Sequence, residues 1–218
     1  MAGRTQGQRA GLTRQAILDA ALRLADREGL KALSMRRLGA ELGVEAMTLY
    51  HHIPNKDALL DGLVEQVVTL AEAPRFGQAR WPDVLRDYAR SLLDTLLAHP
   101  AVLPLVATRP ATTPANLRMV EATLEALCRD GFTPDEALAV VYSMTGFVVG
   151  QATALAQAAH DDAQHTRGQL EQLSALDESE YPLLARAARE AGAARSRFDF
   201  ALDAMLTGFD VALRREGD

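Results

Sequence analysis

Among the 218 residues there is one cysteine, Cys128, which excludes an internal disulfide and any zinc cluster built from cysteines. Its residue type favours the role of a small buried hydrophobe. No uninterrupted apolar run reaches about 18 residues, so neither a membrane span nor a membrane partner is expected. The opening "MAGRTQGQRAG" has no apolar stretch behind its arginines and does not read as a secretory signal. The chain also lacks a phosphate-cradling Gly-rich loop, an HExxH zinc motif and a Gly-x-Ser-x-Gly elbow. No catalytic centre is visible, so neither an enzyme nor a cofactor is expected. A reducing cytoplasm is the natural compartment. Aromatics supply only 5% of residues while Ala and Leu recur, a bias toward helix. A hydrophobic share of 48% is enough for one or two globular domains with a sizeable core.

Charge is unevenly spread. Net charge is −6, but residues 1–60 carry nine Lys/Arg against six acids, leaving a basic +3 segment ahead of an acidic −9 body. The hydrophobic periodicity is helical throughout. "LTRQAILDAALRLADREG" places Ile17, Ala20, Ala21 and Leu24 on one face, with Thr13 as cap and Gly29 as stop. Ser34 caps "SMRRLGAELG", whose inner stripe is Met35, Leu38 and Leu42 and which Gly43 ends. "EAMTLYHHI" is a third short helix, and Asn55 opens a fourth with a stripe of Leu59, Leu63, Val67 and Leu70.

Beyond the loop "PRFGQAR" come amphipathic helices from Trp81 and from Asn116, with "ATRPATTP" read as loop between them. A segment from Thr133 is apolar almost all round between Ala137 and Leu155, and is expected to be buried on most sides. Residues 157–180 are polar and acidic and read as a mobile connection; two helices, 181–191 and 196–214, close the chain. The histidines of "HDDAQH" form too sparse a cluster to outweigh a solvated loop. No strand pattern appears, so the expected fold is all-α. The expected organisation is a flexible basic arm at 1–11, a three-helix DNA-binding domain with a helix-turn-helix at 12–60, and a ligand-binding and dimerisation domain at 61–218.

The middle helix pair, joined at Gly43, has helix-turn-helix spacing. Its second helix points Leu49 and Ile53 inward and leaves Ala46, Met47, Thr48, Tyr50, His51 and His52 outside. Small, hydroxyl and ring side chains suit thymine methyls, base edges and phosphates, although an ordinary solvated helix would look similar.

"LSMRRLGAELGVEAMTLYHHIPNKDALLDGL" resembles the DNA-binding domain of the TetR family of bacterial transcriptional regulators. The signature is the Gly-Val turn, Thr-Leu-Tyr, a ring pair, a hydrophobic residue and Asn-Lys-x-x-Leu. "RWPDVLRDYARSLLDTLLAHP", "ATRP", "EALCRDGFTPDEALAVVYSMTGFVVG" and "FDFALDAMLTGFDVAL" resemble, in order, the ligand-binding domain of the tetracycline-repressor subgroup. The resemblance implies a homodimeric repressor on a palindromic double-stranded operator, cytoplasmic and nucleoid-associated when bound, and released by a small-molecule effector. Arg36 falls where the family reaches a guanine, and Thr48, Tyr50, His52 and Lys56 fall at phosphate or methyl contacts. Met35 and Ala46 replace a phosphate-contacting threonine and a base-reading glutamine, and His51 replaces an aromatic at the groove edge; the first two imply a different operator.

The same alignment puts Leu105, Gly146 and Ala154 where the subgroup binds magnesium through two histidines and a glutamate. None of these side chains can ligate that ion. With Tyr88, Leu92, Thr108 and Thr123, the expected pocket is apolar with a phenol and two hydroxyls, for an uncharged or weakly polar effector. Arg109 would either face an anion or serve helix packing. Gly150 shares a helix face with Gly146, open to a close neighbour or a ligand. Phe147, Leu155, Leu202, Leu206 and Phe209 are the expected dimer surface. The rival reading is an all-α small-molecule-binding or scaffold protein whose helix-turn-helix is not used for DNA.

Overall fold

The computed structural model describes residues 12–109, 113–160, 172–173, 175–190 and 194–215. The expected basic arm and residues 161–171 and 174 of the 157–180 connection, His165 among them, lie outside the described residues. Ten α-helices and no strand occur among the described residues. They are α1 (Arg14–Glu28), α2 (Met35–Leu42), α3 (Ala46–Tyr50), α4 (Lys56–Leu70), α5 (Trp81–Ala98), α6 (Leu103–Thr108), α7 (Pro114–Arg129), α8 (Pro134–His160), α9 (Pro182–Arg189) and α10 (Ala194–Arg215). The all-α expectation holds. One helix was not expected: α6 follows a 3₁₀ turn at Pro100–Val102, and Pro104 sits in its first turn, where a missing N–H costs nothing.

The chain divides into two compact units. One comprises the residues up to Ala73 together with Asp94–Ala122; the other comprises Pro74–Leu93 and Thr123 onward. The first unit therefore extends well beyond the segment up to residue 60 that the periodicity singles out.

Three side-chain caps set the frame of the first unit. Thr13, Ser34 and Asn55 accept from the backbone N–H groups of Ala16, Arg37 and Ala58, at 3.0, 3.2 and 2.8 Å. Ile17, Leu24, Leu38, Leu49, Leu59 and Leu63 are fully buried and bring α1, α2, α3 and α4 around one core. Polar ties reinforce α1 against α4: Arg14 donates to Glu65 at 2.8 Å and Gln66 to Asp19 at 2.7 Å. His99 meets Asp26 of α1 at 2.8 Å.

Gly43 turns the chain at φ 66°, the left-handed conformation that suits glycine. Gly39 has a separate job. A Cβ there would lie 2.8 Å from the Val44 carbonyl oxygen and 3.2 Å from the Ala46 nitrogen, so only glycine lets α3 pack this tightly on α2.

In the second unit, α5 and α10 run antiparallel along a ladder of ion pairs. Arg80, Arg86 and Arg90 meet Asp210, Asp203 and Asp199 at 3.0, 2.5 and 2.8 Å. Trp81 packs edge-on against Phe132 with centroids 5.1 Å apart, a geometry worth about 0.5–1.5 kcal/mol beyond the area it buries. Thr133 and Glu136 form a reciprocal capping box at the start of α8, with the Thr133 N–H donating to the Glu136 carboxylate at 2.7 Å.

The expectation that α8 is buried on most sides fails. Pro134–Gln157 is apolar and long enough to cross a membrane by length and composition, with scattered Ser, Thr and Gln interrupting the apolar run, yet only 28% of its most apolar stretch is buried. Val140, Met144, Val148 and Ala152 face the core, four residues apart. The opposite row, Ala139, Tyr142, Gly146, Gly150 and Ala154, is exposed.

Candidate functional site

The two helices expected to read DNA are short and rigidly placed. With Leu49 and Ile53 fully buried, α3 and the turn after it have a fixed outward face. Met47 is 69% exposed and Tyr50 41% exposed, and His51, His52 and Lys56 are exposed too. Ala46 and Thr48 are half-buried at the edge of this face.

The adjacent arginines of α2 differ sharply. Arg37 donates to Glu28 at 2.6 Å and lies 3.6 Å from Glu41. Arg27 meets the same two carboxylates at 3.3 and 3.0 Å. The hydrogen bond from Arg37 holds the Glu28 carboxyl below its ordinary range, and Glu28 in turn raises Arg37. Arg36 is exposed and has no partner among the described residues. Its five N–H donors are therefore uncommitted, as bidentate recognition of a guanine edge requires.

One DNA-contact expectation is overturned. Met35, at the first position of α2, is only 7% exposed and belongs to the core. A thioether has no polar demand to keep it at the surface, so the methionine turns inward.

Arg109 settles between its two expected roles. Its guanidinium donates to Asp61 at 2.7 Å and to Asp57 at 2.8 Å, joining the end of α6 to the first turns of α4. Asp57 and then Asp61 hold its pKa above the ordinary arginine value. The packing role is thus occupied, and two carboxylates already satisfy the charge an anion would have met. Thr108 likewise spends its hydroxyl on the Pro104 carbonyl at 2.6 Å.

Leu105 is buried in the first unit. Tyr88, Leu92 and Thr123 are buried in the second. Desolvation pushes the Tyr88 phenol up to about 12. Gly146, Gly150 and Ala154 do not join a wall within the protomer: they are exposed, and a Cβ on either glycine would meet nothing within 4 Å.

The expected dimer residues are out of register with the exposed surface. Leu202 and Leu206 are fully buried in the protomer's own core. Phe147 stacks on buried Phe198 at 5.3 Å. Leu155 and Phe209 are half-buried. The outward row of α10 is instead Phe200, Ala204, Thr207, Gly208 and Val211, with Phe200 77% exposed. The reason is that α10 has apolar residues on two faces. The larger leucines serve the protomer, and the row beside them is left open.

The model described as bacterial regulatory proteins, tetR family, matches residues 17–63, and that described as tetracyclin repressor-like, C-terminal domain, matches residues 73–213. The chain belongs to the TetR family. It is 32% identical to the HTH-type transcriptional repressor DrrR1 of Streptomyces coeruleorubidus, an alignment covering 98% of this chain and 83% of that one. It is 30% identical to the class D tetracycline repressor protein of Escherichia coli, over 94% of this chain and 92% of that one. The fold resembles the Streptomyces coelicolor TetR family protein ActR in complex with actinorhodin, with a TM-score of 0.81 at 29% identity, covering 93% and 97% of the two chains. This TetR-family chain is a ligand-responsive transcriptional repressor with an N-terminal helix-turn-helix.

Of the residues expected to face DNA, Arg36, Met47, Tyr50, His51, His52 and Lys56 are exposed. Sequence patterning missed Gly39 and Asp61. The first needed the α2–α3 distance. The second would have required knowing that α6 lies against α4.

Proposed function

We propose that two copies of this repressor bind a palindromic operator, each laying α3 in the major groove, and that an uncharged or weakly polar effector releases them without a metal. The carrying observation is the uncommitted, outward Arg36 beside an exposed row of ring and hydroxyl side chains on α3 and its flank. One such unit covers only a few base pairs, so specific binding calls for two, with half-sites roughly 34–36 Å apart.

The open apolar rows of α8 and α10 support pairing through a two-fold four-helix bundle. The rows involved are Ala139, Tyr142, Gly146, Gly150 and Ala154 on α8, and Phe200, Ala204, Gly208 and Val211 on α10. The cytoplasm, and the nucleoid when operator is bound, is the place of action.

Tyr88 and Leu92, both buried in the second unit, support an effector with a largely apolar body. ActR, whose fold this chain resembles, is found in complex with actinorhodin, a precedent for a small-molecule effector. Leu105, Gly146 and Ala154 offer magnesium no oxygen donor. Arg109 gives the signal a route: a shift of α6 reaches Asp57 and Asp61, and α4 begins at Lys56 on the DNA-facing side. The effector must favour the released spacing by a few kcal/mol, on the order of the coupling energies of other regulators.

Recovery of bound genomic fragments tests the DNA reading, which fails if the fragments share no inverted repeat. Calorimetric titration with magnesium and tetracycline tests the effector reading. Micromolar binding abolished by a chelator contradicts it.

A further inference from the structure

Between residues 12 and 69 two large hydrophobic side chains are exposed, and both belong to α3: Met47 at 69% and Tyr50 at 41%. Every other large hydrophobic side chain in that span is buried or half-buried. Each residue of an α-helix turns by about 100°, so Met47 stands about 200° from buried Leu49 and points almost directly away from the packed core. Tyr50 and His51, three and four residues on, share that side of the helix and are exposed with it. Tyr50 keeps a hydroxyl and His51 its ring nitrogens at the surface, but Met47 offers water only a thioether, a weak acceptor. A lysine or glutamate there would form the helix as well and be hydrated without cost. A single exposed methionine is ordinary on a protein surface. This one sits on the helix that a helix-turn-helix lays in the major groove.

We propose that Met47 is a specificity-determining residue for the operator, reading a thymine through its C5-methyl group. This rests on the DNA reading above and sharpens it. In the major groove guanine, adenine and cytosine present hydrogen-bonding groups, while thymine adds a methyl, the one apolar feature there. Phosphates call for cations or hydrogen-bond donors, and Met47 supplies neither. Its unbranched, polarizable chain can settle on a methyl group without being held to one rotamer. Ala46, the residue before it, brings no polar side chain either. Hydrogen-bonded readout is left to Arg36 on α2 and to the residues that follow Met47. With two copies on an inverted repeat, each half-site should carry such a thymine.

The test uses the full-length protein and the inverted repeat it selects from random-sequence duplexes. Each thymine of that repeat is replaced in turn, in both half-sites, by deoxyuridine, which pairs in the same way and lacks only the methyl. For the wild type one replacement should stand out, weakening binding about fourfold per half-site, the worth of one methyl group removed from water. Met47→Ala and Met47→Gln should keep the wild-type circular dichroism, since the side chain is exposed. Both should bind the original and the substituted duplex alike, and either one decides should the other fail to fold. Met47→Leu, still apolar, should keep the discrimination. If a repeat is selected but no deoxyuridine weakens the wild type, Met47 reads no methyl and this inference falls alone. It falls in the same way if the weakening persists in the folded alanine or glutamine variant. If no inverted repeat is selected, the operator reading falls, and the inference with it.

Discussion

Arg109, just beyond α6, holds Asp61 of α4 at 2.7 Å while its second amino group holds Asp57 at 2.8 Å. One rigid guanidinium thus spans two carboxylates a helical turn apart, close to the start of the helix that carries Lys56 toward DNA. Arg109→Ala should leave effector binding and the fold intact. The ratio of operator affinities without and with effector should shrink about tenfold, because the link between α6 and α4 is what the substitution removes. Arg109→Lys should fall between, since an ammonium cannot serve both carboxylates in fork geometry. Mobility-shift titrations at fixed effector concentrations measure this. An unchanged ratio would place the coupling elsewhere.

Arg36 and Arg37 are neighbours in sequence with opposite assignments. Arg36→Ala should cost about 1–3 kcal/mol of operator binding and relax preference at one base pair in each half-site. Arg37→Ala removes the hub of a network joining α1 to α2 and should lower the melting temperature while base preference stays as it was. Lys56→Ala should weaken specific and random DNA alike and lower the salt dependence by about one charge per protomer. Binding measured on an operator library at several salt concentrations separates the three. Loss of base preference in Arg37→Ala without loss of stability would reverse the assignment.

The helical periods, caps and glycine stops were readable because each is local. Thr13, Ser34, Gly43 and Asn55 act within four residues of their own positions. Burial within α2 was readable in part: the helical period put Met35 on the inner stripe with Leu38, where both are found, while the resemblance put it at a DNA contact. Burial within α10 was not readable, because that helix is apolar on two faces and periodicity alone could not say whether Leu206 or Phe200 faces the protomer. The short α6 was masked by Pro100 and Pro104, which punctuate a loop as readily as a first helical turn. Arg109 could be named as a candidate, but its partners lie 48 and 52 residues away, a separation at which no pattern in one sequence reports contact.

Tyr88 provides a pH prediction. Its folded pKa is raised by burial to about 12, above the ordinary tyrosine value of 10.0. The unfolded chain therefore releases the phenolic proton first as pH rises. Stability linked to this group is complete below pH 10.0 and is lost as pH climbs toward about 12, at up to about 1.4 kcal/mol per pH unit. Tyr88→Phe keeps the ring and removes the proton, so its stability should decline less over that window. Urea unfolding of both proteins between those pH values is the measurement. Parallel pH profiles would mean that the Tyr88 phenol is as solvated in the folded state as in the unfolded one.

Dimer formation can be tested by two glutamates placed six residues apart on different faces of α10, at Leu206 and at Phe200. Leu206 is fully buried, so Leu206→Glu puts a carboxylate into the protomer's own core, where nothing compensates it. The expected result is loss of the folded second unit, not a folded monomer. Phe200 is 77% exposed in the single protomer, and Phe200→Glu leaves that protomer undisturbed. In a two-fold bundle built on the open rows of α8 and α10, the same charge would enter an apolar interface. Phe200→Glu should therefore keep wild-type helicity, sediment as a monomer and lose specific operator binding, because two half-sites can no longer be engaged together. Gly150→Leu on the open row of α8 gives an independent check: a Cβ there meets nothing within 4 Å in the protomer, whereas in the proposed bundle the leucine would crowd the neighbouring copy. If both variants sediment as stable dimers with wild-type operator affinity, pairing uses another face.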